Sequence, residues 1–171
     1  YMLIEDPQYL RYSRDPRWKD NLVEVPELYT RHIAFNVQKA PFNNKLVRQA
    51  INHAIDRETL VRTVCQNKAY PATGLFPPSL MGYDPEFKGY EYNPEKAVEL
   101  LKQAGYEDGF EFEVLCTDHA AWGLPIVEAI QPYLKKVGIS VKPVLVEWGV
   151  MMDLANAGDF EAYMYSVNGE A

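Results

Sequence analysis

Two short stretches carry the residues best equipped for chemistry. In CTDHAAWG, residues 116–123, Thr117, Asp118, His119 and Trp122 set a hydroxyl, a carboxylate, an imidazole and an indole close together. In SVNGEA, residues 166–171, Asn168, Gly169 and Glu170 offer an amide, a permissive backbone position and a second carboxylate. An adjacent Asp-His pair suggests hydrolysis, but neighbours in sequence rarely meet in triad geometry, and no GxSxG elbow supplies a nucleophile. No Gly-rich phosphate loop follows a strand either. The residues therefore suit non-covalent capture better than bond-making, and a small hydrolase using Asp118 and His119 stands as the alternative. Trp122 reads equally as an apolar surface for a ligand or as an anchor for its own loop. Glu170 reads most simply as a solvated carboxylate.

What must position these residues is an alternating pattern late in the chain. Phe110, Phe112 and Val114 alternate with Glu111 and Glu113, the period of a strand. A helix follows from about 124 to 137 with Pro132 expected to kink it, then a strand over 139–147, a short helix over 150–157 and a strand over 160–165. This β-α-β-α-β order across 110–166 requires crossovers, hence a mainly parallel sheet flanked by helices, an α/β fold. Ligands of such sheets bind beyond the carboxyl ends of the strands, where 116–123 and 166–171 both lie.

The preceding chain is read as support. Residues 1–31 show no clean period and are expected to be irregular. The stretch 32–37 reads as a buried strand, and Leu46, Val47, Ala50, Ile51, Ala54 and Ile55 fall at helical spacing behind Asn43 or Asn44. Asp56 is placed to cap a second helix, 57–66. Residues 69–93, rich in Pro and Gly, form a structured loop anchored by its aromatics. Asn93, Pro94 and Gly105 then bracket a helix over 94–104 with a cap, a first-turn proline and a left-handed stop, and Tyr106 is expected to fold back onto Leu101.

Composition bounds the reading. At 171 residues the chain suits one domain with its own core, and 47% hydrophobic with 24% charged residues is ordinary for a globular protein. No apolar run approaches the ~18 residues of a membrane span. A formal charge of −7 argues against nucleic acid, which demands clustered cations. His32, His53 and His119 are scattered, no CxxC occurs, and neither a metal nor another cofactor is expected. Cys65 and Cys116 are either bridged or separate. Tyr1–Leu10 holds acids and Pro7 and does not read as a secretory leader.

The phrases IAFNVQKAPFNNKLVRQAINHAIDRETLV, YNPEKAVELLKQAGYEDGFEFEV and IQPYLKKVGISV resemble the family 5 solute-binding proteins of ABC importers, the dipeptide and oligopeptide binders most of all. The resemblance covers about 25–170. It implies a lobe like those of type II periplasmic binding proteins, with 1–171 forming one lobe of a two-lobed receptor excised from a chain about three times longer. The full protein is then periplasmic or extracellular, soluble or lipid-anchored, closes on a small peptide or similar solute, and passes it to a membrane permease without catalysis. The ligand-binding residues it implies are Thr117, Asp118, His119, Trp122, Asn168, Gly169 and Glu170. The loop after 110–115 holds an Arg in dipeptide binders and none here. Where the family often shows a Trp and, three positions later, an Asp for a peptide's amino terminus, this chain has Val167 and Glu170. A nickel chelate, an opine or an oligosaccharide is the alternative cargo, and an exposed interlobe face is expected to promote self-association.

Overall fold

The helix bracketed most firmly in the sequence shows how the chain is aimed. α4, Pro94–Gln103, begins where the Asn93 side chain accepts from the Lys96 N–H at 2.9 Å, with Pro94 in the first turn, where its missing N–H is no loss. It ends on Gly105 at φ +80°, with the Gly105 N–H donating to the Lys102 carbonyl and the Tyr106 N–H to the Leu101 carbonyl at 2.9 Å. Those are the two bonds of a Schellman ending. Tyr106 packs on the core cluster that contains Leu101 and meets Phe110 edge-on at 5.4 Å, so the chain leaves the helix already directed into β2, Phe110–Cys116.

The computed structural model describes residues 6–25, 28–78, 80–117 and 123–168. The other elements in chain order are α1 (Asp6–Arg14), a 3-10 turn (Lys19–Asn21), β1 (Tyr29–Phe35), α2 (Lys45–Ala54) and α3 (Arg57–Thr63) before α4. After β2 come α5 (Leu124–Lys136), β3 (Ile139–Leu145), α6 (Trp148–Ala157) and β4 (Ala162–Asn168). The expectation of an irregular 1–31 is corrected by α1, the 3-10 turn and the early start of β1. Tertiary ties explain the difference. Lys68 Nζ donates to Glu24 Oε1 at 2.6 Å and to the Tyr9 hydroxyl at 2.9 Å, which ties this segment to the turn that follows α3. β1 starts at Tyr29 because its antiparallel pairing with β4 reaches Tyr29↔Asn168. α3 stops earlier than its apolar spacing predicts, ahead of Gln66 and Asn67, which both take positive φ.

The strands form one sheet in the order β1-β4-β2-β3, with β2 parallel to both β3 and β4. β3 lies on one side of β2 and β4 on the other, so the crossovers run in opposite directions, and right-handed connection then sends α5 and α6 to opposite faces. Side chains agree with this. Phe112, Val114 and Cys116 of β2, Ile139 and Val141 of β3 and Ala162 and Met164 of β4 join the core with Val47, Ala50 and Ile51 of α2, Leu101 of α4, and Val127, Ile130 and Leu134 of α5. The alternate residues Tyr163 and Tyr165 face the other way, where α6 runs. Pro143 is tolerated inside β3 because β3 is an edge strand. Pro132 is carried within α5, which continues to Lys136.

At the amino edge, where β2 and β3 begin side by side at Phe110↔Ile139, Gly109 (φ +76°) and Gly138 (φ +87°) nearly touch. A Cβ on Gly109 would stand 1.9 Å from the Gly138 carbonyl oxygen, so only glycine fits.

Candidate functional site

The parallel strands β2, β3 and β4 release their outgoing turns at one edge. The β2–β4 register pairs Val114 with Ala162 and Leu115 with Tyr163. Two residues further along each strand, Thr117 therefore lies level with Tyr165, and Asn168 runs on about 10 Å beyond it at the usual rise per residue. The turn after β3 joins them, since the Val146 N–H donates to the Cys116 carbonyl at 2.9 Å. Of the residues singled out in the sequence, Thr117 and the backbone of Asn168 are thus brought to one rim. Asp118, His119, Trp122, Gly169 and Glu170 lie outside the described residues.

Sequence reasoning missed the aromatic wall of this rim. Trp148, the first residue of α6, stacks on Tyr165 with ring centroids 5.8 Å apart and planes at 12°, yet keeps 51% of its surface exposed. Tyr165 meets His32, its cross-strand partner on β1, edge-on at 6.0 Å, and Tyr163 edge-on at 5.7 Å. Leu145, Val150 and Tyr29, at the end of β3, in the first turn of α6 and at the start of β1, are exposed too. The signal was present: an aromatic directly after a parallel strand, at the start of the next helix. It is hidden because the apolar residues of β3 continue through Val144, Leu145 and Val146, which masks the turn before α6.

Electrostatically the described part of the rim is neutral to acidic. Among the described residues, the outgoing turns carry Glu147 and no Lys or Arg. Arg31 stands opposite Ser166 on β1, on the face that also holds Ile33 and Phe35. Cys116 ends β2 fully buried, with Sγ 3.7 Å from the Val144 carbonyl oxygen, and burial, helped by the Glu128 carboxylate, pushes its thiol above the ordinary value. A thiol so held stays protonated and is a poor nucleophile. Cys65 and Cys116 are not bridged to each other. Among the described residues no group of His, Cys, Asp and Glu is arranged for a metal, and no helix is long and apolar enough to cross a membrane. A separate cleft of about 450 Å³ lies among α2, α4 and residues 88–91. Its polar groups already hold the loop in place: His53 Nδ1 lies 2.9 Å from the Glu91 carbonyl oxygen, and Lys88 Nζ donates to the Pro85 carbonyl.

The family model described as bacterial extracellular solute-binding proteins, family 5 middle, matches residues 3–171. The chain belongs to this family. Within it, the chain is 34% identical over 161 residues to the dipeptide-binding protein of Escherichia coli K12, covering 88% of this chain and 29% of that protein. It is 36% identical over 171 residues to heme-binding protein A of Haemophilus influenzae, covering 94% and 30%. Among solved structures, the periplasmic binding protein DppA of Helicobacter pylori, in complex with the peptide STSA, superposes with a TM-score of 0.84 at 33% identity, covering 95% of this chain and 31% of that one. The fold is that of the type II periplasmic binding proteins, and the chain spans less than a third of the length of these relatives.

Proposed function

We propose that this chain, residues 1–171, is one ligand-capturing lobe of a two-lobed receptor that serves an ABC importer and takes up small peptides. The observation that carries this reading is the common rim. Three parallel strands deliver Thr117, Trp148 and Asn168 to one edge, with half-exposed aromatic surface and a buried, protonated thiol beneath. Such a rim offers contacts but no bond chemistry, so the lobe acts by closing with its counterpart on the ligand. Closure follows from higher affinity for ligand in the closed state than in the open one. Asp118, His119, Trp122, Gly169 and Glu170 complete the site, with the Glu170 carboxylate holding a peptide's amino terminus by charge-assisted hydrogen bonds. The full-length receptor works in the periplasm or outside the cell and hands its cargo to the permease. The rim apolar surface gives the isolated lobe a tendency to self-associate, which sedimentation at rising concentration reads directly.

A second cargo class, heme, is favoured by the 36% identical heme-binding relative and the flat Trp148 surface. Calorimetry of the full-length protein decides between them. Heat of binding with a mixture of di- and tripeptides, and none with hemin, supports peptide uptake. Binding of hemin alone moves the receptor to the other class, and turnover of ester or peptide substrates would return Asp118 and His119 to a hydrolytic role.

A further inference from the structure

Burying a large aromatic side chain is worth about 2 kcal/mol or more, so one left half open while its ring is held in a fixed stack calls for a reason. Trp148 is such a residue. A side chain on the first turn of a helix, unsupported, would sample several rotamers. Trp148 is held in one by Tyr165, whose ring lies almost parallel beneath it. Tyr165 is braced in turn. His32 meets it from β1 at 82°, with Nδ1 3.3 Å from the Thr30 carbonyl oxygen, and Tyr163 meets it at 71° from two positions back on β4. Tyr163 rests against Phe160 at 4.9 Å. A row of rings thus runs along the α6 face of β4 and ends in an indole at the rim, on the strand position level with Thr117. The core does not require it, because Ala162 and Met164 supply the packing of β4 from the other face.

We propose that Tyr165 is a specificity-determining positioning residue: stacked beneath Trp148, it holds the indole plane open at the rim as a platform for a flat, uncharged side chain of the bound peptide. This rests on the peptide-receptor reading. The platform fits an aromatic group because a second flat ring can stack on the open face of the indole, which the Tyr165 ring already fixes from below. Loss of Tyr165 frees the indole to turn and removes the preference without removing the rest of the site.

The test uses the full-length protein and calorimetric titration with Ala-Phe, Ala-Trp and Ala-Ala. A single aromatic pair is worth a factor of about 2 to 10 in affinity, so the wild type is expected to bind the aromatic dipeptides about fivefold more tightly than Ala-Ala. Tyr165→Leu is expected to bring that ratio below about twofold while leaving Ala-Ala affinity within about twofold, and Tyr165→Phe, which keeps the ring, to retain it. Should Tyr165→Leu fail to fold, His32→Ala removes the brace from the other strand and is expected to lower the ratio by about half. A ratio unchanged in the folded variants, or a wild type that binds all the dipeptides equally, overturns the proposal and leaves the receptor reading standing. A wild type that binds none of them overturns the proposal, and the peptide reading falls with it if the mixture of di- and tripeptides gives no heat either.

Discussion

The two edges of the one sheet are built to opposite specifications. At the amino edge Gly109, pressed against Gly138, has no room for a methyl group, and Phe42, wholly buried, stacks on Phe35 at 4.7 Å and meets Phe112 edge-on at 5.0 Å. At the carboxyl edge Leu145, Trp148 and Val150 stand about half exposed. A packed edge commits its apolar surface to stability, whereas an open edge leaves that surface accessible to another molecule. Side chains at a binding rim keep their geometry only if the scaffold beneath does not move. The contrast therefore predicts that substitutions at the first edge act on folding and those at the second on binding.

The comparison breaks most readily at Phe42. Phe42→Ala should destabilise the lobe by about 4 kcal/mol, since removal of a buried Phe leaves a cavity as well as losing burial, and urea unfolding would measure it. A midpoint close to wild type would mean that the amino edge is not the stabilising one. Gly109→Ala should follow at about 3 kcal/mol, because the new methyl meets a carbonyl oxygen and the positive φ disfavours any side chain. Thermal unfolding is the measurement.

Smaller effects come from the caps. Asp56 accepts from the Thr59 N–H at 2.9 Å, and this bond, ahead of the Thr59 hydroxyl, holds the Asp56 carboxyl below its usual range. Because the folded value is depressed, the stabilisation is present above the ordinary carboxylate value of 3.8 and is lost as pH falls through the lower, folded value. Asp56→Ala should cost about 1 kcal/mol at neutral pH, with the gap to wild type closing in strong acid. The smallest change in stability should come from Trp148→Leu, within about 1 kcal/mol because half the ring is already in water, although dipeptide affinity falls severalfold. A large loss of stability there would erase the distinction between the edges.

Much of the framework was legible because its signals are local. Asn93, Pro94, Gly105 and Tyr106 all act as their types predict, and the alternation of 110–114 appears as β2. α1 was not legible, since DPQYLRYSR is polar overall with Leu10 its only aliphatic residue, and its tie, from Tyr9, is to Lys68, far along the chain. The rim was half legible. The rule that ligands meet the carboxyl ends of parallel strands points to the edge where Thr117 and the backbone of Asn168 lie, but nothing local in YMY reveals that Tyr165 lies under Trp148. That contact exists only once two crossovers have carried α6 over one face of the sheet.

Pro143 has an effect beyond β3 itself. A proline on that outer strand deprives its free flank of a donor, while β1 at the far flank carries no proline, so accretion of a further strand, whether from the same polypeptide or another, is directed to one side. The sheet in this respect has one blunted flank and one that is not.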